Sequence, residues 1–397
     1  MNNMRPMEIG LFWHSYRSGN LGVGALSIAN AHLIREAAAG LGLPVSLTIF
    51  GMREDNPDYP VGDAITNIDL DFAYILSPAG LLHDVKALDL AIDIGGGDSF
   101  ADIYTTKRLI MVVLTKLAAR LRHIPLIFAP QTIGPFNRLF GKKMAARSLG
   151  WAETILTRDT RSTEAARALA PDAHIVEAID VAFALPFERR PSAASNLQVG
   201  LNVSGLLWSG GPNGDNAFGL GYDYRDLVRG FIRRAEALGA TVHLIPHVIA
   251  PHLPRDDDTT AIDAVAAEFP STVRVAPFSS PIAAKSYISS LDFLAAARMH
   301  AAIAALSSGV PVLPISYSRK FEGLFGTLGY DWLVPHTGMN TEAALNLVDR
   351  ALASRAAMKA DVDKANSRVK ERLDRYRAIL KTTLAAAADR RKAGSRR

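Results

Sequence analysis

The chain has 397 residues, of which 49% are hydrophobic and 21% charged, and it contains no cysteine. That length suits two α/β domains, and the lack of cysteine excludes a disulfide framework, a thiolate nucleophile and cysteine-ligated zinc or iron–sulfur centres. The net charge of +5 is unevenly spread: Arg350–Arg397 carries fifteen Lys or Arg against five Asp or Glu, so the other 349 residues sum to −5.

The first eight residues carry one arginine and no apolar core, unlike a secretory signal. No apolar run reaches the roughly 18–20 residues of a membrane span. A soluble, cytoplasmic protein is expected. The basic C-terminal stretch has no groove-reading or aromatic elements beyond Tyr376, so nucleic acid is not an expected partner. Its main reading is a solvated helix with a frayed end, and the alternative is peripheral contact with an anionic membrane face.

Short apolar runs alternate with helical patterns, which signals βα units and parallel sheets. Strands are predicted near Glu8–His14, Val45–Phe50, Leu90–Ile94, Leu126–Ala129, Thr154–Thr157 and His174–Glu177, with helices near Gly22–Ala39, Thr105–Arg122, Asn137–Trp151 and Arg161–Ala170. Two prolines and small polar residues then break the pattern. A second series has strands near Gln198–Val203, Val242–Ile245, Val273–Val275, Phe293–Ala296 and Val312–Ile315. Its helices fall near Tyr224–Leu238, Thr259–Glu268, Pro281–Ser289, Arg298–Ser308 and Phe321–Leu328. The expected fold is two Rossmann-like doubly wound α/β domains facing a central cleft, followed by a long C-terminal helix. The expected boundaries are 1–186, a linker at 187–197, 198–339, and a helical segment with a basic tail at 340–397.

In open parallel sheets, ligands bind at the carboxyl ends of the strands, and the unusual residues gather there. Gly19, Gly22 and Gly24, with Asn20, form a turn that opens a helix and lets backbone N–H groups approach an anion. A plain tight turn is an equal reading. Gly95, Gly96 and Gly97 follow a buried strand and leave Asp98 projecting. A glycine run is entropically costly without a reason, so a ligand is favoured over a merely flexible turn. Gln131 and Thr132 sit in a proline-bounded loop, suited to a sugar or to rigidity alone. Arg158 ends a strand, beside Asp159 or Thr160 as helix caps.

Arg298 and His300 begin a helix, where cations oppose the macrodipole unless an anion joins them. A phosphate or carboxylate is therefore expected, and the structural alternative is an Arg298 salt bridge. Tyr317 and Lys320 repeat the arrangement after the next strand, with Lys320 preferred over Arg319. His247 and His252 near Asp256–Asp258 have poor spacing for a metal, so an acceptor-binding or unrelated loop is the better reading and no metal is expected. Trp208–Gly221, with five glycines, reads as a mobile lid.

Taken in order, the Gly19–Gly22 turn, Gly95–Gly97, Gln131–Phe136, Arg158–Asp159, Arg298–His300 and Gly309–Pro311 with Tyr317 and Lys320 resemble the polysaccharide pyruvyl transferase family. The resemblance implies a fold like that of GT-B glycosyltransferases. It also implies transfer of the pyruvyl group of phosphoenolpyruvate to two hydroxyls of one sugar, with no further cofactor. Positions thought essential in the family correspond to Arg158, His300 and Lys320. Many members carry an acid where this chain has Val23, which bears on the acceptor.

The chemistry accords with these residue types. Arg158, Arg298 and Lys320 would neutralise phosphate and carboxylate, His300 would protonate the methylene carbon, and Asp98 is the candidate base. Asn20, Gly22, the glycine run, Gln131, His247 and Tyr317 would line the substrates. The product belongs to exopolysaccharide or cell-surface glycan synthesis. Whether the acceptor is lipid-linked, and whether the enzyme is a homo-oligomer, stay open. A glycosyltransferase using a nucleotide sugar is the alternative, and a non-catalytic carbohydrate-binding subunit is a third.

Overall fold

The computed structural model describes residues 5–61, 65–191, 194–211 and 214–394, with the side chain of Arg319 excepted. The chain divides into two compact units, and the division is not sequential. Unit 1 comprises Met1–Arg17, Leu26–Leu185 and Lys370–Arg397, and unit 2 comprises Ser18–Ala25 and Pro186–Val369.

Unit 1 is built on seven parallel strands: β1 (Met7–Phe12), β2 (Val45–Met52), β3 (Thr66–Leu70), β4 (Leu90–Asp93), β5 (Leu126–Gln131), β6 (Thr154–Thr157) and β7 (Ile175–Glu177). They lie in the order β3-β2-β1-β4-β5-β6-β7. Strands β4, β5 and β6 are buried along their whole length, as strands covered by helices on both faces must be. Strand β3 lies outside the predicted set. It is an edge strand with one fully buried residue, Leu70, so its polar sequence carries no core signal.

Unit 2 has five parallel strands: β8 (Gln198–Asn202), β9 (Thr241–Leu244), β10 (Val273–Arg274), β11 (Phe293–Ala296) and β12 (Val312–Pro314), in the order β10-β9-β8-β11-β12. Both sheets reverse their winding beside their first strand, at β1/β4 and at β8/β11. A crevice opens at the carboxyl ends of the strands at such a switch point. The helices that follow are started by side-chain caps from Thr105, Asp159, Asp223, Asp257 and Ser280. Each cap satisfies a backbone N–H that the helix cannot.

The last element is one helix, Thr341–Gly394, whose residues divide between the units at Val369 and Lys370. Within unit 2, Ala344, Val348, Ala351, Leu352 and Val362 are buried, while Asn366 and Arg368 bond the carbonyls of Leu306 and Leu328. Within unit 1, Leu373, Tyr376, Leu380, Leu384 and Ala387 form a buried stripe at helical spacing.

The end of this helix corrects the reading of a solvated, fraying tail. Arg372 pairs with Glu177, Arg390 with Glu153, and Arg391 with Asp89 and the carbonyls of Arg5 and Pro6. Much of the basic charge is thus complementary to acidic positions of unit 1. Residues 395–397, the extreme of the expected tail, lie outside the described residues. Among the described residues no helix is long and apolar enough to cross a membrane.

Candidate active site

In unit 1 the switch point is filled by the loop after β4. Gly95, Gly96 and Gly97 all have positive φ, at 54°, 57° and 86°, a conformation that any residue with a Cβ resists. Space is equally restrictive: a Cβ on Gly95 would fall 2.2 Å from Gln131 Oε1, and one on Gly97 2.6 Å from Leu26 Cδ1. The run is therefore needed for the close approach of β5 and of the helix Leu21–Ala39 that follows β1. The Gly97 carbonyl accepts the Thr132 N–H, which ties the loop to the end of β5.

Below this loop lies a buried ion pair absent from the sequence reading. Lys116 Nζ is 2.8 Å from Asp93 Oδ2, and both side chains are fully buried. The Lys116 ammonium also sits 5.0 Å from the ring centroids of Phe100 and Phe128. Burial lowers the pKa of Lys116, and the charge of Asp93 opposes that shift. Gln131 Nε2 donates to the carbonyl and the carboxylate of Asp93, at 2.9 and 3.2 Å. The pair thereby fixes which way the Gln131 amide points.

Three buried polar atoms at this loop have no hydrogen-bond partner among the described residues: Gln131 Oε1, Thr132 Oγ1 and Arg108 Nε. Buried polar groups are ordinarily satisfied, and these three each retain capacity for a further hydrogen bond. Arg158, at the end of β6, is buried beside this loop. A Cβ on Gly97 would lie 3.7 Å from Arg158 Nη1. Asp180 holds that nitrogen at 3.0 Å, and Asp159 lies 3.8 Å from Nε. The two carboxylates orient a guanidinium that carries five donors in all. Asp98 is half-buried and accepts from the Tyr104 hydroxyl at 3.0 Å, while Arg108 covers the Tyr104 ring and donates to Ser99 Oγ.

In unit 2 the Gly19–Gly22 turn packs against the loop after β9. Leu21 N–H donates to the His247 carbonyl and Ile249 N–H to the Gly19 carbonyl, while Asn20 bridges Val248. Asn20 Oδ1 accepts the Gly22 N–H at 2.9 Å. A Cβ on Gly22 would fall 2.3 Å from His300 Nδ1 and 2.8 Å from its Cγ. The imidazole therefore occupies space that only glycine leaves open. His300 is half-buried in the first turn of the helix Met299–Ser308. His247 is buried, and its pKa is lowered to about 3 by burial and by the neighbouring His300 and Arg298 charges.

Arg298 departs from its expected role as a ligand cation. Its guanidinium meets Asp258 Oδ1 at 2.8 Å and Asp256 Oδ1 at 2.7 Å, and its N–H donates to Asn202 Oδ1 at 2.7 Å. Burial works against its charge, but Asp258 and Asp256 outweigh that and raise its pKa. Fully buried Asp258 also accepts from the backbone N–H groups of Gly205, His247 and Val248. The Arg298–Asp258 pair thus joins the ends of β8, β9 and β11 and sets the start of the His300 helix. Tyr317 is near enough to Arg298 to influence its charge, and its ring packs edge-on to Phe218 at 5.1 Å. Lys320 is half-buried in the first turn of the helix Arg319–Thr327.

The structure thus gathers Gly95–Gly97, Gln131 and Arg158 in unit 1, with Asp98 on the same loop. It gathers Asn20, Gly22, His247, Arg298 and His300 in unit 2, with Tyr317 beside them. Sequence reasoning missed Asp93, Lys116, Arg108 and Asp180. Of these, Asp93 and Asp180 carried a signal, an acidic residue at or just past a strand's carboxyl end. Lys116 and Arg108 carried none, being basic residues within an amphipathic helix.

A cavity of about 570 Å³ in unit 2 is lined by Trp208, Phe218 and Tyr222 together with Asp215, Asn216 and Asp223. The glycine-rich segment that forms its wall is folded by internal bonds, with Asn216 exchanging two with the Leu220 backbone. Among the described residues no cluster of three His, Asp or Glu could hold a metal ion.

The family model for polysaccharide pyruvyl transferases matches residues 28–319. The chain belongs to that family. No curated protein matches it. Among solved structures it is similar to a UDP-N-acetylglucosamine 2-epimerase, with 13% identity, coverage of 94% of this chain and 97% of that one, and a TM-score of 0.56. It is also similar to an α,α-trehalose-phosphate synthase (UDP-forming) from Burkholderia vietnamiensis, with 10% identity, 97% and 100% coverage, and a TM-score of 0.53. At such identities the likeness concerns the fold alone. This pyruvyl transferase family member has a GT-B-type fold: parallel doubly wound sheets and a long C-terminal helix.

Proposed function

We propose that the enzyme transfers the pyruvyl group of phosphoenolpyruvate to two hydroxyls of a sugar, forming a cyclic ketal and releasing phosphate, in the synthesis of an exopolysaccharide or cell-surface glycan. Family membership supports a transferase acting in polysaccharide synthesis. The observation that carries the finer reading is the contact of His300 with Gly22. It holds an imidazole rigidly at a helix start, as a proton donor to carbon requires.

In this reading His300 delivers a proton to the methylene carbon of phosphoenolpyruvate, and electron deficiency develops at C2. One sugar hydroxyl adds to C2 and loses its proton, with Asp98 as the acceptor. The C2–O bond to phosphate breaks, with the proton held by Asp98 passing to the departing phosphate, and a second hydroxyl closes the ring and returns its proton to His300. The sum is phosphoenolpyruvate plus diol giving ketal plus inorganic phosphate. Arg158 and Lys320 neutralise the donor's anionic groups. Arg298, engaged by two carboxylates, acts instead as a positioning residue for His300 and His247. The Gly95–Gly97 backbone, Gln131 and Thr132 supply hydrogen bonds, and Asn20 and Tyr317 contact substrate. The aromatic and carboxylate lining of the unit 2 cavity suits a neutral sugar ring better than an anion.

The test is a thermal-shift and phosphate-release assay. Phosphoenolpyruvate should raise the melting temperature, and phosphate should appear only with a competent sugar. Stabilisation by UDP without any response to phosphoenolpyruvate would replace this reading with nucleotide-sugar glycosyl transfer.

A further inference from the structure

From Ile103 to Ala152 the chain runs fifty residues without an Asp or Glu while carrying nine Lys or Arg. Two parts of this stretch are clamped side by side in unit 1. The Asp102 carboxylate, just before the stretch, accepts the N–H groups of Asn137 and Arg138, each at 2.7 Å, and Arg138 Nη1 donates to Thr106 Oγ1 at 3.1 Å. Gly141 completes the clamp, since a Cβ there would fall 2.9 Å from Asp102 Oδ2.

The clamped segments present four large apolar side chains to solvent. Leu139 is 77% exposed, Phe140 56%, Ile103 50% and Tyr104 38%. Single exposed apolar residues are ordinary, but a group of them on adjoining segments marks an interaction surface. The same segments carry the exposed basic side chains of Lys107, Arg138, Lys142 and Lys143. The opposite holds at the C-terminal helix, where Arg390 and Arg391 are matched by Glu153 and Asp89.

We infer that this face docks on an anionic lipid bilayer. Leu139, Phe140 and Ile103 enter the acyl boundary, and the lysines and Arg138 of the same segments meet lipid phosphates. Apolar side chains together with basic ones are the combination that binds a charged interface without spanning it. Tyr104 also bonds Asp98, so a membrane seated here borders the glycine-run loop. The surface is defined by exposed side chains and does not depend on which group the enzyme transfers.

The full-length protein should co-sediment with phosphatidylcholine vesicles containing about one-third phosphatidylglycerol, less with phosphatidylcholine alone, and less at high salt. Leu139→Ser/Phe140→Ser should lower partition onto the anionic vesicles by roughly tenfold or more, with an unchanged circular dichroism melting curve. Lys142→Glu/Lys143→Glu, which leaves the apolar residues in place, should weaken partition and flatten its salt dependence. Removal of residues 395–397 should leave partition within about twofold. Failure of the wild type to bind anionic vesicles overturns the proposal. So does full binding by both double variants, or loss of binding on tail removal alone.

Discussion

Gly22 and His300 occupy one another's space: a Cβ on residue 22 would stand 2.3 Å from His300 Nδ1. No rotation of the imidazole is needed while residue 22 is glycine, and any larger residue must displace the ring or the turn. Gly22→Ala should therefore leave the fold intact while moving the histidine. Turnover is expected to fall by roughly 10²-fold, the usual cost of a misplaced catalytic group. Steady-state kinetics beside a melting curve would check this, and an unimpaired variant would show that the ring tolerates the shift.

The duty assigned to His300 can be separated from binding. His300→Ala should lower kcat by about 10²–10⁴, the range for lost general acid catalysis, and leave the Kd for phosphoenolpyruvate within a few-fold. Lys320→Ala and Arg158→Ala should weaken binding as well as turnover. A normal kcat with raised KM would make His300 a binding group.

The Lys116–Asp93 pair is a stability determinant with a functional consequence. Lys116→Met leaves a fully buried carboxylate without its partner and should cost about 3–5 kcal/mol. The double variant Lys116→Met/Asp93→Leu should recover much of that loss in a denaturant titration. It should still bind substrate poorly, because Gln131 loses its orienting carboxylate. Equal stability of the single and double variants would contradict this account.

Two buried histidines set an acid limit. His14 Nδ1 donates to the Phe12 carbonyl, and its Nε2 faces the Asn30 amide at 2.9 Å, whose oxygen in turn accepts from Tyr376. A second proton on His14 would place two donors face to face. Burial lowers the pKa of His14 to about 3, against the raising effect of its Phe12 bond, and His247 is likewise lowered to about 3. Between pH 6.5 and 3 the unfolded chain binds protons that the native chain does not, so stability is complete above pH 6.5 and falls on acidification. Each histidine should remove about 2 kcal/mol between pH 6.5 and 5. Melting temperatures across that window would show the decline, and His14→Gln should reduce its slope.

Much of the scaffold was legible in the sequence because local signals and tertiary structure agree there. Continuous apolar runs such as Leu126–Ala129 and Phe293–Ala296 became buried parallel strands, and Asp159 caps its helix. Motif order was enough to point to the family. The glycine run was legible as a constrained loop because three positive-φ residues in succession leave little choice of residue type.

Only the tertiary structure decided what each charge does. Arg298 reads as an anion ligand in one dimension, yet Asp256 and Asp258, some forty residues earlier, engage it in three. Lys116 looks like any helix lysine until β4 brings Asp93 to it, and Gly22 looks like a plain turn until the loop after β9 and the helix after β11 set His300 against it. The basic C-terminal segment likewise reads as a solvated tail because its acidic partners, Asp89, Glu153 and Glu177, are more than 190 residues away. Backbone conformation is decided by neighbours in the chain and is written locally. Charge pairing and close approach are decided by neighbours in space, which the winding of the sheets supplies.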